Sequence, residues 1–337
     1  MYETGHFASL WYTLAERLGL DPQLIAGNWR TGIDADAIQR ILEEDSGHNI
    51  KAVCVVHNET STGVTSDIQA VRHAIDSAGH AALLMVDTVA SLAVMPFEMD
   101  AWGVDVAVAG SQKGLMTMPG LSFIAAGPKA MAIHQTAGLR TRYWDWTARD
   151  GEEHYMKYCG TPPEHMLFAL RAALDLLFDE GLDAAQHRHA LLAAATRAAV
   201  ARWAEGGALA FNILEPAQRA DSVTTVLMEG GHAPDALLAY CRDKCGVVLG
   251  IGIGELGGRA FRIAHMGHVN APMILGALSV VEMALSALAI PHGKGGAQAA
   301  IDSLAQAVPG RGAAAAAPDG GCMPAVLDGG STKPVPP

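Results

Sequence analysis

Asp105-Val-Ala-Val-Ala109 runs directly into Gly110-Ser-Gln-Lys-Gly114, and the fold is read from this junction. The first five residues are short, apolar and β-prone, which predicts a buried strand. The turn that follows presents Lys113 at the strand's carboxyl end. Upstream, Ala82-Leu-Leu-Met-Val86 reads as a second buried strand and ends in Asp87. Lys51-Ala-Val-Cys-Val-Val56 is a third strand, and Asp67 opens a helix to Ala78 between them. Strand, helix and strand at this spacing predict an α/β fold with a mostly parallel sheet and right-handed crossovers. Ligands of such sheets bind outside the carboxyl ends of the strands. Asp87 and Lys113 therefore bring an acid and an amine to one edge.

Outward from this core, helices are expected at Phe7–Leu18 and Asp34–Glu43, the second capped by Asp34 or its neighbour. Leu121–Ala125, just after a Pro-Gly turn, is expected as a strand antiparallel to the others. Residues 135–163 are irregular and aromatic, with Tyr143, Trp144, Trp146, Tyr155 and Tyr158. Long helical patterns follow at Glu164–Phe178 and Asp183–Trp203. The chain then changes character. Strands are expected at Ser222–Met228, Gly246–Leu249 and Arg259–Ala264, with helices at Pro234–Lys244 and Ala271–Ala287. The expected domains are a large domain over 1–180, a smaller α+β domain over 181–306, and an Ala/Gly/Pro-rich tail over 307–337 that lacks the apolar residues to fold.

The 337 residues suffice for two domains and a sizeable core. Net charge is −12 and no dense Lys/Arg run occurs, which argues against nucleic acid or an anionic membrane as partners. The N-terminus has neither a basic region nor an apolar one of the secretory kind. The five cysteines (Cys54, Cys159, Cys241, Cys245 and Cys322) are odd in number and scattered, so free thiols in a reducing cytoplasm are expected. His187 and His189, or His265 and His268, combine with no Cys or acid at a metal-binding spacing, so no metal is expected.

An amine that forms a Schiff base, with an acid for a pyridinium nitrogen, is what a pyridoxal phosphate enzyme needs. His57-Asn-Glu-Thr-Ser-Thr-Gly-Val64, Val86-Asp-Thr-Val-Ala-Ser91, Gly110-Ser-Gln-Lys113 and Phe261-Arg-Ile263 occur in this order. The ordered set resembles the class V aminotransferases, in particular their serine–glyoxylate and alanine–glyoxylate branch. Tyr143-Trp-Asp-Trp146 and Arg262-Ile-Ala-His-Met-Gly267 lean toward its bacterial serine–glyoxylate members. The resemblance spans about residues 2–305. It implies fold type I of the pyridoxal phosphate-dependent transferases, with a seven-stranded sheet in the large domain, a small C-terminal domain, and a homodimer with shared active sites.

The resemblance assigns roles residue by residue. Lys113 is the Schiff-base lysine, and Asp87 partners the pyridine nitrogen; a strand-end Asp also caps a following turn or helix. Thr60, where relatives carry Ser, offers a hydroxyl to the cofactor's O3′. Gln112 contacts the cofactor phosphate, and Phe7 stacks on the cofactor face, although a core aromatic on an amphipathic helix reads alike. Tyr158 and Thr161 reach the phosphate of the neighbouring subunit, in a pattern that also suits a turn before Pro162. Arg262 clamps the substrate carboxylate through two parallel donors, or else forms a structural ion pair. The Gly-rich run Gly250–Gly254 is not a dinucleotide fingerprint, since no strand-to-helix turn surrounds it.

Relatives carry a segment ahead of the position matching Met1, including a Ser-Gly-Thr-Gly loop that cradles the cofactor phosphate at a helix N-terminus. The sequence is therefore expected to be a fragment or to start at a misassigned codon. The implied activity is ping-pong transfer of an amino group from L-serine, or alanine, to glyoxylate. Two alternatives stand beside it. One is a truncated remnant serving only as a dimerisation partner. The other is a cysteine desulfurase, which needs a nucleophilic Cys on a mobile loop; Cys241 and Cys245 fall in a helical pattern and Cys322 in the tail.

Overall fold

The computed structural model describes residues 1–307. Helices α1 (His6–Arg17) and α2 (Ala35–Glu44) precede strand β1 (Ala52–Val56). A short hairpin of β2 (Asn58–Glu59) and β3 (Val64–Thr65) leads into α3 (Ile68–Ser77), β4 (Leu83–Asp87), β5 (Val106–Gly110) and β6 (Ser122–Ala126). Asp34 and Asp67 accept from the backbone N–H groups of Ala37 and Ala70, the capping bonds that start α2 and α3. The first sheet has the order β1-β4-β5-β6. β1, β4 and β5 run parallel, and β6 returns antiparallel on β5. Its core packs Val53, Val55, Leu84 and Val86 against Ile38 and Leu42 of α2 and Ile68, Val71 and Ile75 of α3.

The chain continues through α4 (Pro128–His134), α5 (Trp146–Arg149), a 3₁₀ turn at His154–Tyr158, and the long helices α6 (Glu164–Glu180) and α7 (Leu182–Ala204). Then come β7 (Leu209–Phe211), β8 (Val223–Met228), α8 (Asp235–Cys245), β9 (Gly250–Ile251), β10 (Ala260–Ala264), α9 (Ala271–Ala287) and α10 (Gly296–Ala307). The second sheet, β7-β8-β10-β9, is antiparallel throughout. A separate core gathers Trp203, Val226, Leu237, Phe261, Leu278 and Leu285 between this sheet and α7, α8 and α9.

Three expectations change. The strand expected at Gly246–Leu249 is β9, at Gly250–Ile251. Gly246 instead closes α8 in the left-handed conformation, φ 68°. Gly246 N–H bonds the Arg242 carbonyl and Val247 N–H the Cys241 carbonyl, a helix-ending motif that uses the backbone a strand would need. The sheet of the first region has four strands among the described residues rather than seven, and after β1 the chain pairs with itself as β2 and β3. β7, α4 and α10 went unexpected. β7 is three residues long, and α10 is an Ala-rich stretch of mostly small residues. Ala307 ends α10, and the rest of the expected tail, with Cys322, lies outside the described residues.

Candidate active site

β4 and β5 deliver the acid and the amine side by side. Asp87, paired in register with Val108 of β5, ends β4. One carboxyl oxygen accepts from Val89 N–H at 2.8 Å, so the turn-capping role expected of a strand-end Asp is real. The other oxygen has no hydrogen-bond donor among the described residues. Burial pushes the Asp87 carboxyl up to about 6; Glu59 adds to the rise, while the Val89 N–H and Lys113 oppose it.

Lys113 follows β5 on a tight loop. Ser111 Oγ donates to the Met118 carbonyl at 2.7 Å, and Met116 N–H bonds the Lys113 carbonyl at 3.0 Å. Gly114 is required here because a Cβ would overlap the Leu92 carbonyl oxygen of the loop after β4. The two loops that carry Asp87 and Lys113 are thereby packed together. The half-buried Lys113 amine has no hydrogen-bond or ion-pair partner among the described residues. Burial lowers its pKa first, the Arg262 guanidinium lowers it further, and Asp87 opposes both. A lysine held toward its neutral form is the nucleophilic form of an amine.

Arg262 approaches from β10 of the second sheet. Its Nε donates to the Ile251 carbonyl at 2.7 Å and one terminal nitrogen to the Thr60 carbonyl at 2.9 Å. Among the described residues it makes no salt bridge, so the structural ion pair is not what holds it. The remaining guanidinium nitrogen has no partner among the described residues. Burial lowers its pKa, and the negative Glu59 counters this.

The loop between β1 and α3 joins these pieces. His57, Asn58, Glu59, Thr60, Ser61 and Thr62 are all buried. Asn58 accepts from Ser222 Oγ, and Asn212 Nδ2 donates to the Thr62 carbonyl at 3.0 Å and the Trp29 carbonyl at 2.9 Å. The loop is thus bonded to the second sheet and its flanks. The Thr60 hydroxyl has no partner among the described residues. Phe7, in the first turn of α1, is 36% exposed, too open for a core aromatic. Its N–H bonds Glu59. Gln112 is exposed beside Lys113.

Tyr158 and Thr161 are not brought to this group. They lie on the outer segment after α5, half-buried and exposed, and neither side chain has a hydrogen-bond partner among the described residues. Glu59 was missed from sequence: an acid inside a Ser/Thr-rich loop reads as solvated, and only its place beside Thr60 signalled otherwise. His189 and His265 hold the end of the Arg262–Gly267 stretch. His189 accepts from Gly267 N–H at 2.9 Å, and His265 bridges the Asp221 carbonyl and Thr224 Oγ1. Among the described residues no cluster of His, Cys, Asp and Glu could hold a metal ion.

Comparison with known proteins gives the family. The family profile described as aminotransferase class V matches residues 1–254. The chain belongs to the class V aminotransferases. It is 41% identical over 317 residues to a serine–glyoxylate aminotransferase of Methylorubrum extorquens, covering 93% of this chain and 74% of that protein. It is 38% identical over 289 residues to an L-aspartate–glyoxylate aminotransferase of Paracoccus denitrificans, covering 85% and 72%. A crystal structure of ureidoglycine–glyoxylate aminotransferase from Bacillus subtilis superposes with a TM-score of 0.80 at 26% identity, over 90% of this chain and 77% of that one.

The chain is therefore a transaminase of the pyridoxal phosphate-dependent fold. The residues present fit that cofactor. The Lys113 amine, one Asp87 carboxyl oxygen and the Thr60 hydroxyl have no partners among the described residues; Lys113 feels the charges of both Asp87 and Arg262, and Arg262 bonds the Thr60 carbonyl. The desulfurase alternative is not favoured, and both Cys241 and Cys245 lie on α8 rather than on a loop. Cys241 is fully buried on α8, and burial pushes its thiol up to about 11.

Proposed function

We propose that this transaminase moves an amino group from L-serine, with alanine as a second donor, to glyoxylate. The observation that carries the reading is the pairing of Lys113 and Asp87 at the edge of the first sheet with the Arg262 guanidinium of the second, in a chain about two-fifths identical to a serine–glyoxylate enzyme. Pyridoxal phosphate, when bound, supplies the aldehyde that captures an amine and the ring that draws electrons from the substrate's α-carbon. Lys113 would hold that aldehyde through its amine, and the same amine would serve as the base for the proton at the substrate's α-carbon. Asp87 would partner the ring nitrogen, and a positive charge beside it would lower its raised pKa again. Thr60 would offer its hydroxyl to the cofactor's O3′, Phe7 would stack on the ring and Gln112 would help hold the phosphate. Arg262 binds the carboxylate common to both substrates, which allows one site to serve two half-reactions in alternation.

The same reading assigns residues 1–180 to the large domain and 181–306 to the small one, in agreement with the two cores. It also makes the enzyme a homodimer in which Tyr158 and Thr161 serve the partner's cofactor. Tyr143, Trp144, Tyr155 and Phe168 are exposed around that segment, a face that a second copy would cover. A cytoplasmic location is supported by the free thiols of Cys54, Cys159, Cys241 and Cys245. Among the described residues no helix is long and apolar enough to cross a membrane.

The test supplies pyridoxal phosphate and glyoxylate with serine, alanine or aspartate in turn, and follows glycine together with the oxo acid from each donor. Serine turnover at least as efficient as that of alanine is expected. Preference for aspartate would overturn the donor assignment, and no glycine from any donor would overturn the reaction.

A further inference from the structure

The first turn of α1 has three backbone N–H groups that no helical carbonyl can reach. All three are taken by one buried pair of side chains. His6 N–H donates to Ser61 Oγ at 3.0 Å, while Phe7 and Ala8 donate to Glu59 Oε2 at 2.9 and 3.1 Å. Glu59 Oε1 accepts from the Ser61 N–H at 3.0 Å and the Ser61 hydroxyl at 2.6 Å. Glu59 is fully buried, a costly place for a charge unless donors surround it. It has four donors and lies at the positive end of the helix dipole.

The approach is close as well as polar. A Cβ on Gly5 would overlap Ser61 Oγ and Glu59 Cγ, so the residue before α1 is tolerated only as glycine. On the other side of Glu59, the Thr60 carbonyl takes one Arg262 nitrogen. The Glu59 charge also favours the cationic form of Arg262 and disfavours ionised Asp87. A neutral side chain would cap the helix without the second effect, so mere capping does not account for an acid here.

We infer that Glu59 is a positioning residue: it locks the first turn of α1, and with it the Phe7 ring, to the loop segment that holds Arg262, so that the ring-covering face and the carboxylate clamp are set as one unit. The inference rests on the roles proposed above for Phe7 and Arg262. It adds a mechanical link between them, through a group that touches neither cofactor nor substrate.

The experiment uses Glu59→Gln, which keeps the shape but turns an NH2 toward one of the two donor pairs, combined with Phe7→Ala in a double-mutant cycle. Pyridoxal phosphate affinity is read by absorbance titration of the full chain. Glu59→Gln is expected to weaken binding about tenfold with Phe7 present, the worth of one charge-assisted hydrogen bond. The effect should shrink to less than about twofold in the Phe7→Ala background. Equal weakening in both backgrounds, or none in either, overturns the inference. A second readout needs no cofactor. Amide exchange at Phe7 and Ala8 in the apo protein should speed up about tenfold in Glu59→Gln, and unchanged exchange also overturns it. Wild-type protein that exchanges as expected yet takes up no pyridoxal phosphate sinks the proposed function and leaves the lock standing. If Glu59→Gln does not fold, Glu59→Asp, which keeps the charge and loses reach, is put through the same measurements with the same criteria.

Discussion

Residues 57–62 are polar and buried, while the aromatics of residues 143–158 are largely exposed. Thr62 and Ser61 are 0% accessible; Tyr143 and Tyr155 are 60% and 55% accessible. Each region reverses the usual relation of residue type to burial, for opposite reasons. The polar loop is buried because its groups find partners on α1, on β8, on β10 and in the Asn212 amide that follows β7. The aromatic segment has few partners within its own chain: Arg149 lies over the Tyr143 ring at 5.0 Å and His134 packs on Trp146, and little else covers it. The first region is finished within one chain, whereas the second leaves most of its rings uncovered.

The comparison breaks first at the amine. Lys113 stands at the edge the polar loop organises, yet its amine has no hydrogen-bond or ion-pair partner among the described residues, so Lys113→Ala should leave the melting temperature nearly unchanged. Its loss should lower kcat by about a thousandfold or more, the scale of removing a positioned acid–base group. A large fall in melting temperature with modest loss of rate would move Lys113 from the chemistry to the scaffold.

Next comes the loop's own anchoring. Asn212 Nδ2 bonds two carbonyls in a place 1% exposed. Asn212→Ala strands both, at a cost of about 3 kcal/mol, to be read as a lower urea midpoint with an unchanged slope. A neutral outcome would mean that water replaces the amide and that the loop is not tightly welded.

The third test sets site chemistry against stability. Asp87 titrates near 3.8 when unfolded and at about 6 in the fold. The folded state therefore holds a proton that the unfolded state has lost between those values, and stability falls as pH rises through this window. Above about pH 6 the apo protein carries the full penalty of an ionised, buried carboxylate. Asp87→Asn keeps the bond from Val89 N–H and removes the charge. It should stabilise the cofactor-free protein by about 2 kcal/mol at pH 8 and by nothing below pH 4, while its transamination falls sharply. Equal stability of the two proteins at both pH values would show that Asp87 is better solvated than its setting implies.

These cases also divide what the sequence reveals from what it hides. The strands ending in Asp87 and Lys113 were legible because a run of apolar, β-prone residues admits few other structures, and the caps Asp34 and Asp67 because their chemistry is local. β6 was legible as antiparallel from one Pro-Gly turn. Glu59 was not, because its meaning lies in donors from α1, more than fifty positions away, and periodicity carries no such information. Residues 246–249 misled for a related reason. Their composition suits a strand, but the carbonyls at the end of α8 claim their N–H groups first. Arg262 could be nominated from sequence, whereas its two carbonyl partners and its spare nitrogen could not.

The smallest expected effect falls on the exposed segment. Phe168, on α6, is 77% exposed, so Phe168→Ser removes almost no intrachain contact and should shift the stability of an isolated subunit by less than about 0.5 kcal/mol. If a second copy covers this face, the same change strips an apolar anchor from the interface. Sedimentation should then show dimers dissociating at concentrations where the parent protein stays paired. Because Tyr158 and Thr161 would serve the neighbouring site, cofactor affinity should fall in step with dissociation and recover at higher protein concentration. Cofactor affinity independent of protein concentration in both proteins would place the whole site within one chain. The aromatic segment would then be an exposed surface that the dimer does not use.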